Sequence, residues 1–285
     1  MKANTIEILK DAMKGGYAVG AFNTFGLEIT QSIVRASHKL GKPCIVQATT
    51  NAMKYAGGKV LGDIVRSVIA HESNSTQIGF HLDHGKTFND VAKAIDAGAD
   101  SVMIDASCSE FKENCEITSH VVKYAHGKGV AVQAELGSVP YLGREDQEID
   151  WEQVMTDPDQ AKALIDKTEV DALAIGIGNA HGFFRERPVP DWDRLKMIRS
   201  MIPDIPLILH GASDWTEEKV KRAIIEGVTC FNIDTDIRIA FVTSVRNALA
   251  QEYDIAVADP RKILGNARES AMNKIEEKIR MFNNR

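Results

Sequence analysis

Short runs of apolar and β-branched residues recur along the chain, each followed by a polar stretch and then by apolar positions at helical spacing. The runs are YAVGAFN (17–23), CIVQAT (44–49), QIGFHLDH (77–84), SVMIDA (101–106), AVQAELG (131–137), ALAIGIG (172–178), PLILHGAS (206–213) and CFNIDT (230–235). They follow one another at about 30 residues, the size of one strand–helix unit. Helical patterns lie between them, such as LEITQSIVRASHKLG, FNDVAKAIDAGA, ENCEITSHVVKYAHGKG and TEEKVKRAIIEGV. Several end in glycine, which accepts the left-handed conformation common just past a helix. Eight strands alternating with helices predict an α/β protein, a single (β/α)8 barrel over residues 1–285, with a doubly wound open sheet as the runner-up. The N-terminal MKANTIEILKDAMKGG predicts an amphipathic helix rather than a signal peptide. Residues 238–285, with DPRKILGNARESAMNKIEEKIRMF, predict a C-terminal helical extension able to act as an oligomer or lid element.

Composition narrows the classes. Of 285 residues, 44% are hydrophobic and 26% charged, enough for a full-sized core and close to globular averages. The net charge of −6 argues against nucleic acid as a partner, since phosphate-backbone affinity comes from clustered Lys and Arg. An anionic small substrate would need a local positive patch. The four cysteines form no Cys-x-x-Cys pair, which points to a reducing compartment. No uncharged apolar run approaches the ~18 residues of a membrane span. The expectation is a soluble cytoplasmic protein.

Barrel chemistry sits at the C-terminal ends of the strands, where the following loops converge on one mouth. Here those ends carry Asn23, Thr49, Asp83, His84, Asp105, Glu135, His181, His210, Asn232 and Asp234. His84, His181 and His210 follow strands three, six and seven, and three neutral imidazoles with a fourth position open are the donor set of catalytic zinc. His38, His71, His120 and His126 fall in helical stretches and are expected at the surface, while His81 lies inside strand three as a packed supporting group. Asp83, beside His84, could shuttle a proton, or merely orient a ligand histidine. Asp105 and Glu135 could hold a second or alternate metal position, or form polar wall. HGASD and NIDTDIR follow strands seven and eight, where barrels commonly bind phosphate. Gly211, Ser213 and Thr235 would serve that role, with Arg185 and Arg238 supplying positive charge. No lysine occupies any of the eight strands, so carbonyl activation by a Schiff base is disfavoured and Lewis-acid activation favoured.

In order along the chain, YAVGAFN, HLDHG, SVMIDAS, AELG, GNAHG, ILHGAS and NIDTD resemble the zinc-dependent (class II) ketose-bisphosphate aldolases, which act on fructose or tagatose 1,6-bisphosphate. The likeness runs through DPRKILG near the C-terminus. It implies Zn2+ on His84, His181 and His210, with Asp83 as acid/base on the substrate's C4 hydroxyl. Asp105 and Glu135 match positions of a second or displaced metal. Asn23 and Thr49 would contact dihydroxyacetone phosphate; Gly182, Gly211, Ala212, Ser213, Asn232, Ile233, Asp234 and Thr235 would surround its phosphate, with K+ or Na+ nearby. Arg185 stands where a lysine is frequent. Glu145, in LGRED, is the candidate to protonate C3, on a loop two residues longer than the family's and without its double glycine. HGASD resembles tagatose-type members and NIDTDIR fructose-type ones, in which Asp234 would read the hydroxyl configuration and Arg238 the distal phosphate.

The resemblance implies a lyase of glycolysis, a homodimer or homotetramer acting on a small sugar bisphosphate. Fructose 1,6-bisphosphate is the favoured substrate, and tagatose 1,6-bisphosphate or another ketose phosphate the alternative. Two other readings stand beside it. Zinc on a barrel can equally activate water in a hydrolase, although no His-x-His pair occupies strand one. The altered 138–147 loop would also suit a sugar-phosphate-binding barrel without catalysis.

Overall fold

A computed structural model describes residues 4–73, 75–140, 149–181, 189–250 and 259–283. Eight parallel strands close into a barrel in sequence order, each paired with its neighbours and β8 returning to β1. They are β1 (Val19–Asn23), β2 (Cys44–Thr49), β3 (Ile78–Gly85), β4 (Ser101–Ile104), β5 (Ala131–Leu136), β6 (Ala172–Ile175), β7 (Leu207–Leu209) and β8 (Val228–Ile233). The first helices are α1 (Thr5–Gly15), α2 (Leu27–Leu40), α3 (Thr50–Ala56), α4 (Gly58–Glu72), α5 (Phe88–Asp96) and α6 (Phe111–His126). Then come α7 (Trp151–Val154), α8 (Pro158–Thr168), α9 (Trp192–Met201), α10 (Glu217–Ile225), α11 (Thr235–Ala250) and α12 (Pro260–Asn283). Among the described residues no helix is long and apolar enough to cross a membrane.

Two apolar layers follow from the two-residue period of the strands. Val46, Leu82, Val102, Val132, Leu173, Leu207 and Phe231 point outward and pack under the helices. Val19, Ala21, Ile45, Met103, Ala131, Ala174, Ile208 and Cys230 point into the lumen, where Ile8, Leu9 and Ala12 of α1 meet them. Helix α1 therefore plugs the lower end of the barrel. It is anchored there by Asp100, which accepts from the Thr5 amide (3.0 Å) and hydroxyl with one oxygen and from the Phe80 amide (2.8 Å) with the other.

The C-terminal segment is helical, and it packs into the outer ring. Helix α11 starts at Thr235, and α12 packs against α2, α10, α11 and β1. Its Ile275, Ile279 and Phe282 enter the main core, with Phe282 stacked on Phe231 of β8 at 4.9 Å. Helix α12 thus completes the outer ring between α10 and α2. The apolar stripe along it gives the reason: its burial requires a partner surface, and β8 and β1 provide it.

Candidate active site

The same period that sends apolar residues down the lumen brings the last inward position of each strand to the mouth. Asn23, Thr49, Asp83, Asp105, Glu135, His210, Asn232 and Asp234 all belong to the inward-facing stripe or its continuation just past the strand. Strict alternation would turn His84 outward after Asp83. Instead the β3–β4 register shifts between Leu82 and Gly85, and His84 takes a left-handed conformation with φ 48°. The bulge lets Asp83 and His84 both face the mouth.

His84, His181 and His210 converge, with ring centroids 4.6 Å (His84–His210), 5.5 Å (His84–His181) and 5.9 Å (His181–His210) apart. Nitrogens from the three rings lie within 4.8 Å of one another. Gly211 makes this approach possible: with φ 64°, a Cβ there would sit 2.3 Å from the Ala180 carbonyl oxygen, so any other residue would push the loop after β7 away from His181. Asn179 adds a second tie, donating from Nδ2 to the His210 carbonyl at 3.0 Å.

Asp83 is buried beside this cluster. Its Oδ2 accepts from Asn23 Nδ2 at 2.8 Å, and its Oδ1 accepts from Asn232 Nδ2 at 3.3 Å and lies 3.8 Å from His84 Nε2. Gln47 in turn donates to Asn23 Oδ1 at 2.6 Å, fixing the amide that holds the carboxylate. On the other side, His84 Nδ1 donates to Asp105 Oδ2 at 2.8 Å and lies 3.8 Å from Glu135 Oε2. Lys86 also donates to Asp105, and His84, Asp105 and Glu135 form a second group of possible metal ligands.

The charges follow from this geometry. Burial would lower the His84 imidazole, but Asp83, Asp105 and Glu135 outweigh it and raise it to about 9. Burial, reinforced by His84, lowers His181 to about 4 and His210 well below its ordinary value. Those two rings are thereby held neutral, the form that offers a lone pair to a metal. Asp83 stays low despite burial because His84, His210 and the Asn23 hydrogen bond favour its anion. Asp105 is likewise held low against burial by hydrogen bonds from His84, Lys86 and Ser107. Glu135 goes the other way: burial, then the neighbouring Asp105, pushes it up to about 8.

The donor set fits a divalent zinc ion. Three imidazoles present nitrogens toward one point, His84 Nε2 and His210 Nδ1 face each other at 3.0 Å, and Glu135 Oε2 is buried without a hydrogen-bond partner. Asp83, Asp105 and Glu135 stand around these imidazoles, as carboxylates commonly do around histidine-bound zinc.

The remaining expected positions divide clearly. Asn23, Thr49, Gly211, Ser213, Asn232, Asp234, Thr235 and Arg238 line a cavity of ≈ 330 Å³ together with Asp83 and the three histidines. Ala212 and Ile233 send their side chains into the core, so only their main chain can serve the mouth. Glu145, Gly182 and Arg185 lie outside the described residues. His81 is buried with Nδ1 2.9 Å from Ser101 Oγ, and His38, His71, His120 and His126 are exposed, as their positions suggested. Gln47 and Gln133, the latter 3.3 Å from His210 Nε2, were not singled out from the sequence. Their signal was there: each stands two residues before a mouth residue, Thr49 or Glu135, and so faces inward.

Comparison with known proteins agrees with this arrangement. Residues 3–285 match the family described as "Fructose-bisphosphate aldolase class-II". The chain is 39% identical to a fructose-bisphosphate aldolase of Geobacillus stearothermophilus over 277 residues, covering 97% of this chain and 95% of that one. It is 40% identical to one of Staphylococcus epidermidis over 279 residues, with the same coverage. Its fold superposes on the YdjI aldolase of Escherichia coli K12 with a TM-score of 0.87 and 27% identity, over 99% of this chain and 98% of that one. This chain therefore belongs to the class-II fructose-bisphosphate aldolase family and is an aldolase, a carbon–carbon lyase.

Proposed function

We propose that the enzyme reversibly cleaves fructose 1,6-bisphosphate to dihydroxyacetone phosphate and glyceraldehyde 3-phosphate, with zinc held by His84, His181 and His210. The observation that carries this reading is the convergence of three imidazoles on a mouth where an ionised carboxylate, Asp83, stands 3.8 Å from one of them. A bound zinc supplies Lewis-acid charge that polarises a carbonyl and compensates the negative charge left by carbon–carbon scission.

The protein's own residues do the rest. Asp83, kept anionic and aimed by Asn23 and Asn232, takes the proton of the C4 hydroxyl as the C3–C4 bond breaks, and returns it in the reverse direction. Glu145 is assigned the proton delivered to C3. Gly211, Ser213 and Thr235, on loops after β7 and β8, bind the phosphate of the dihydroxyacetone half; the sequence motif assigns Gly182 and Arg185 to the same anion, and a monovalent K+ or Na+ is a further part of this reading. Asp105 and Glu135 with His84 offer an alternate metal position.

Asp234 and Arg238 favour the fructose isomer. Arg238 Nη2 lies 3.6 Å from Asp234 Oδ2, both half-exposed at the mouth, so a carboxylate for a sugar hydroxyl stands beside a cation for a distal phosphate. The deciding experiment is a coupled assay on fructose and tagatose 1,6-bisphosphates with the wild type, its EDTA-dialysed form and Asp234→Ala. Expected are loss of cleavage on dialysis, recovery with Zn2+, and a preference for fructose that Asp234→Ala narrows about tenfold. Full activity in EDTA without bound metal would overturn the metal assignment, and an unchanged preference the role of Asp234.

The same reading includes a cytoplasmic homodimer or homotetramer. Leu27, Ile239 and Val242 stay exposed around the Phe25–Phe241 contact, an apolar surface that a second copy would cover. Light scattering gives the stoichiometry, and a monomer at assay concentration would remove this part.

A further inference from the structure

Although no strand carries a lysine, one ammonium is buried behind the mouth. Lys278, on α12, is 4% exposed. Its Nζ donates to the Ser213 carbonyl at 2.6 Å and pairs with Asp236 Oδ2 at 2.7 Å, the two side chains being 5% and 11% exposed. Desolvating a lysine and a carboxylate offsets most of their attraction, so stability alone does not account for this pair.

What the ammonium joins is informative. Ser213 belongs to the loop after β7, and Asp236 to the first turn of α11, directly after β8. These segments also carry Gly211, Ser213 and Thr235 into the cavity. A carbonyl oxygen turned into that cavity would repel a phosphate oxygen. Bonded to Lys278, the Ser213 carbonyl is held toward α12 instead. One cation, placed outside the cavity, thus fixes both walls of the mouth and keeps an acceptor out of it.

We propose that Lys278 is a positioning residue for the substrate's phosphate: through Ser213 and Asp236 it holds the loop after β7 against the start of α11 in the arrangement that binds the anion. This rests on the reading of the mouth as a phosphate site. It gives α12 a task in the reaction although none of its side chains lines the cavity.

The test compares wild type, Lys278→Met, which keeps the apolar stem, and Lys278→Arg, which keeps the charge and a donor. Calorimetry with dihydroxyacetone phosphate on the zinc-loaded proteins is read beside KM and kcat for fructose 1,6-bisphosphate. Lys278→Met is expected to weaken dihydroxyacetone phosphate binding and raise KM by about tenfold, with kcat within about threefold and zinc content unchanged. Lys278→Arg should recover at least half of the lost affinity. Equal affinity and KM in wild type and Lys278→Met overturn the proposal, as does a variant that loses only kcat and thermal stability, the mark of a purely structural lysine. Should Lys278→Met fail to fold, Asp236→Asn replaces it, with about a threefold loss of affinity expected and none overturning the proposal. Binding needs no turnover, so a wild type that binds dihydroxyacetone phosphate but cleaves nothing counts against the proposed reaction alone and leaves Lys278 testable.

Discussion

At the lower end of the barrel, Ile8, Leu9 and Ala12 of α1 pack among Val19, Ile45, Met103, Ile208 and Cys230. One or two inward positions farther along the same strands stand Asn23, Gln47, Asp105, His210 and Asn232. A single inward-facing stripe therefore serves two ends with opposite physics. At the lower end each side chain contributes by leaving water, about 25 cal/mol per Å² of apolar surface. At the mouth the side chains are also buried, yet their charges and lone pairs are desolvated, which costs stability unless a substrate or ion compensates. The lower end holds the fold and the mouth spends some of that stability on chemistry.

The sharpest way to break this contrast is at the mouth. His210→Ala removes a fully buried imidazole from the centre of the cluster. Cleavage should fall by about 10³-fold or more, and bound zinc from about one per chain to near zero by elemental analysis. Its thermal midpoint should stay close to that of zinc-free wild type, because a buried polar group has been exchanged for an apolar one. A variant retaining zinc and activity would remove His210 from the site. Asp83→Asn comes next, with a loss of about 10²–10⁴-fold in kcat while zinc stays bound, since the amide keeps the shape but takes no proton. Loss of zinc along with activity would make Asp83 a support for the metal rather than the base.

Ile8→Ala tests the other end. Ile8 is 1% exposed in the plug. Truncation should cost about 2–4 kcal/mol in urea unfolding, through lost transfer energy and the cavity left behind. Measured per folded chain, kcat/KM should change less than about twofold. A large activity change with an intact fold would mean that the plug communicates with the mouth, and the two-ended description would fail.

The mouth was largely legible in the sequence, whereas the lumen plug was not, since an amphipathic N-terminal helix does not say what it packs against. The strand period is 2, so once the eight runs are placed, the inward stripe follows, and Asn23, Thr49, Asp83, Asp105, Glu135 and Asn232 fall on it. Gln47 and Gln133 obey the same parity and were overlooked because glutamine carries no titratable signal. His84 could not be oriented by parity at all: it faces the mouth only because of the bulge ahead of Gly85, and pairing register is a property of two strands rather than one. The place of α12 was hidden for a similar reason. An apolar stripe says that a face is buried but not against what, and Lys278 reads as solvated charge until Ser213 and Asp236 are brought to it from more than forty residues away. Glu145, Gly182 and Arg185 fall outside the described residues, so their assignments rest on motif alone.

The smallest expected effect sharpens the comparison at the lower rim. Glu72 ends α4 and meets Arg35 of α2, its Oε2 accepting from Arg35 Nε at 2.6 Å and its Oε1 from Gln31 Nε2 at 2.8 Å. Partial burial would raise its carboxyl, but the hydrogen bonds from Arg35 and Gln31 outweigh it and leave it below the usual range. A carboxylate whose folded pKa is depressed adds stability above its unfolded pKa and loses it as pH falls through the folded value. The pair is about a third exposed on the arginine side and a quarter on the glutamate side, so water and salt screen it and its contribution should be about 0.5 kcal/mol. Glu72→Gln should therefore be less stable than wild type by that amount in urea at pH 7, with the gap closing toward pH 3. Cleavage should not change at any pH where both are folded, since the rim lies at the opposite end from the histidines. A gap that persisted at pH 3 would show that Glu72 acts through packing rather than charge, and a shifted pH–activity profile would show that charge at the lower rim reaches the mouth.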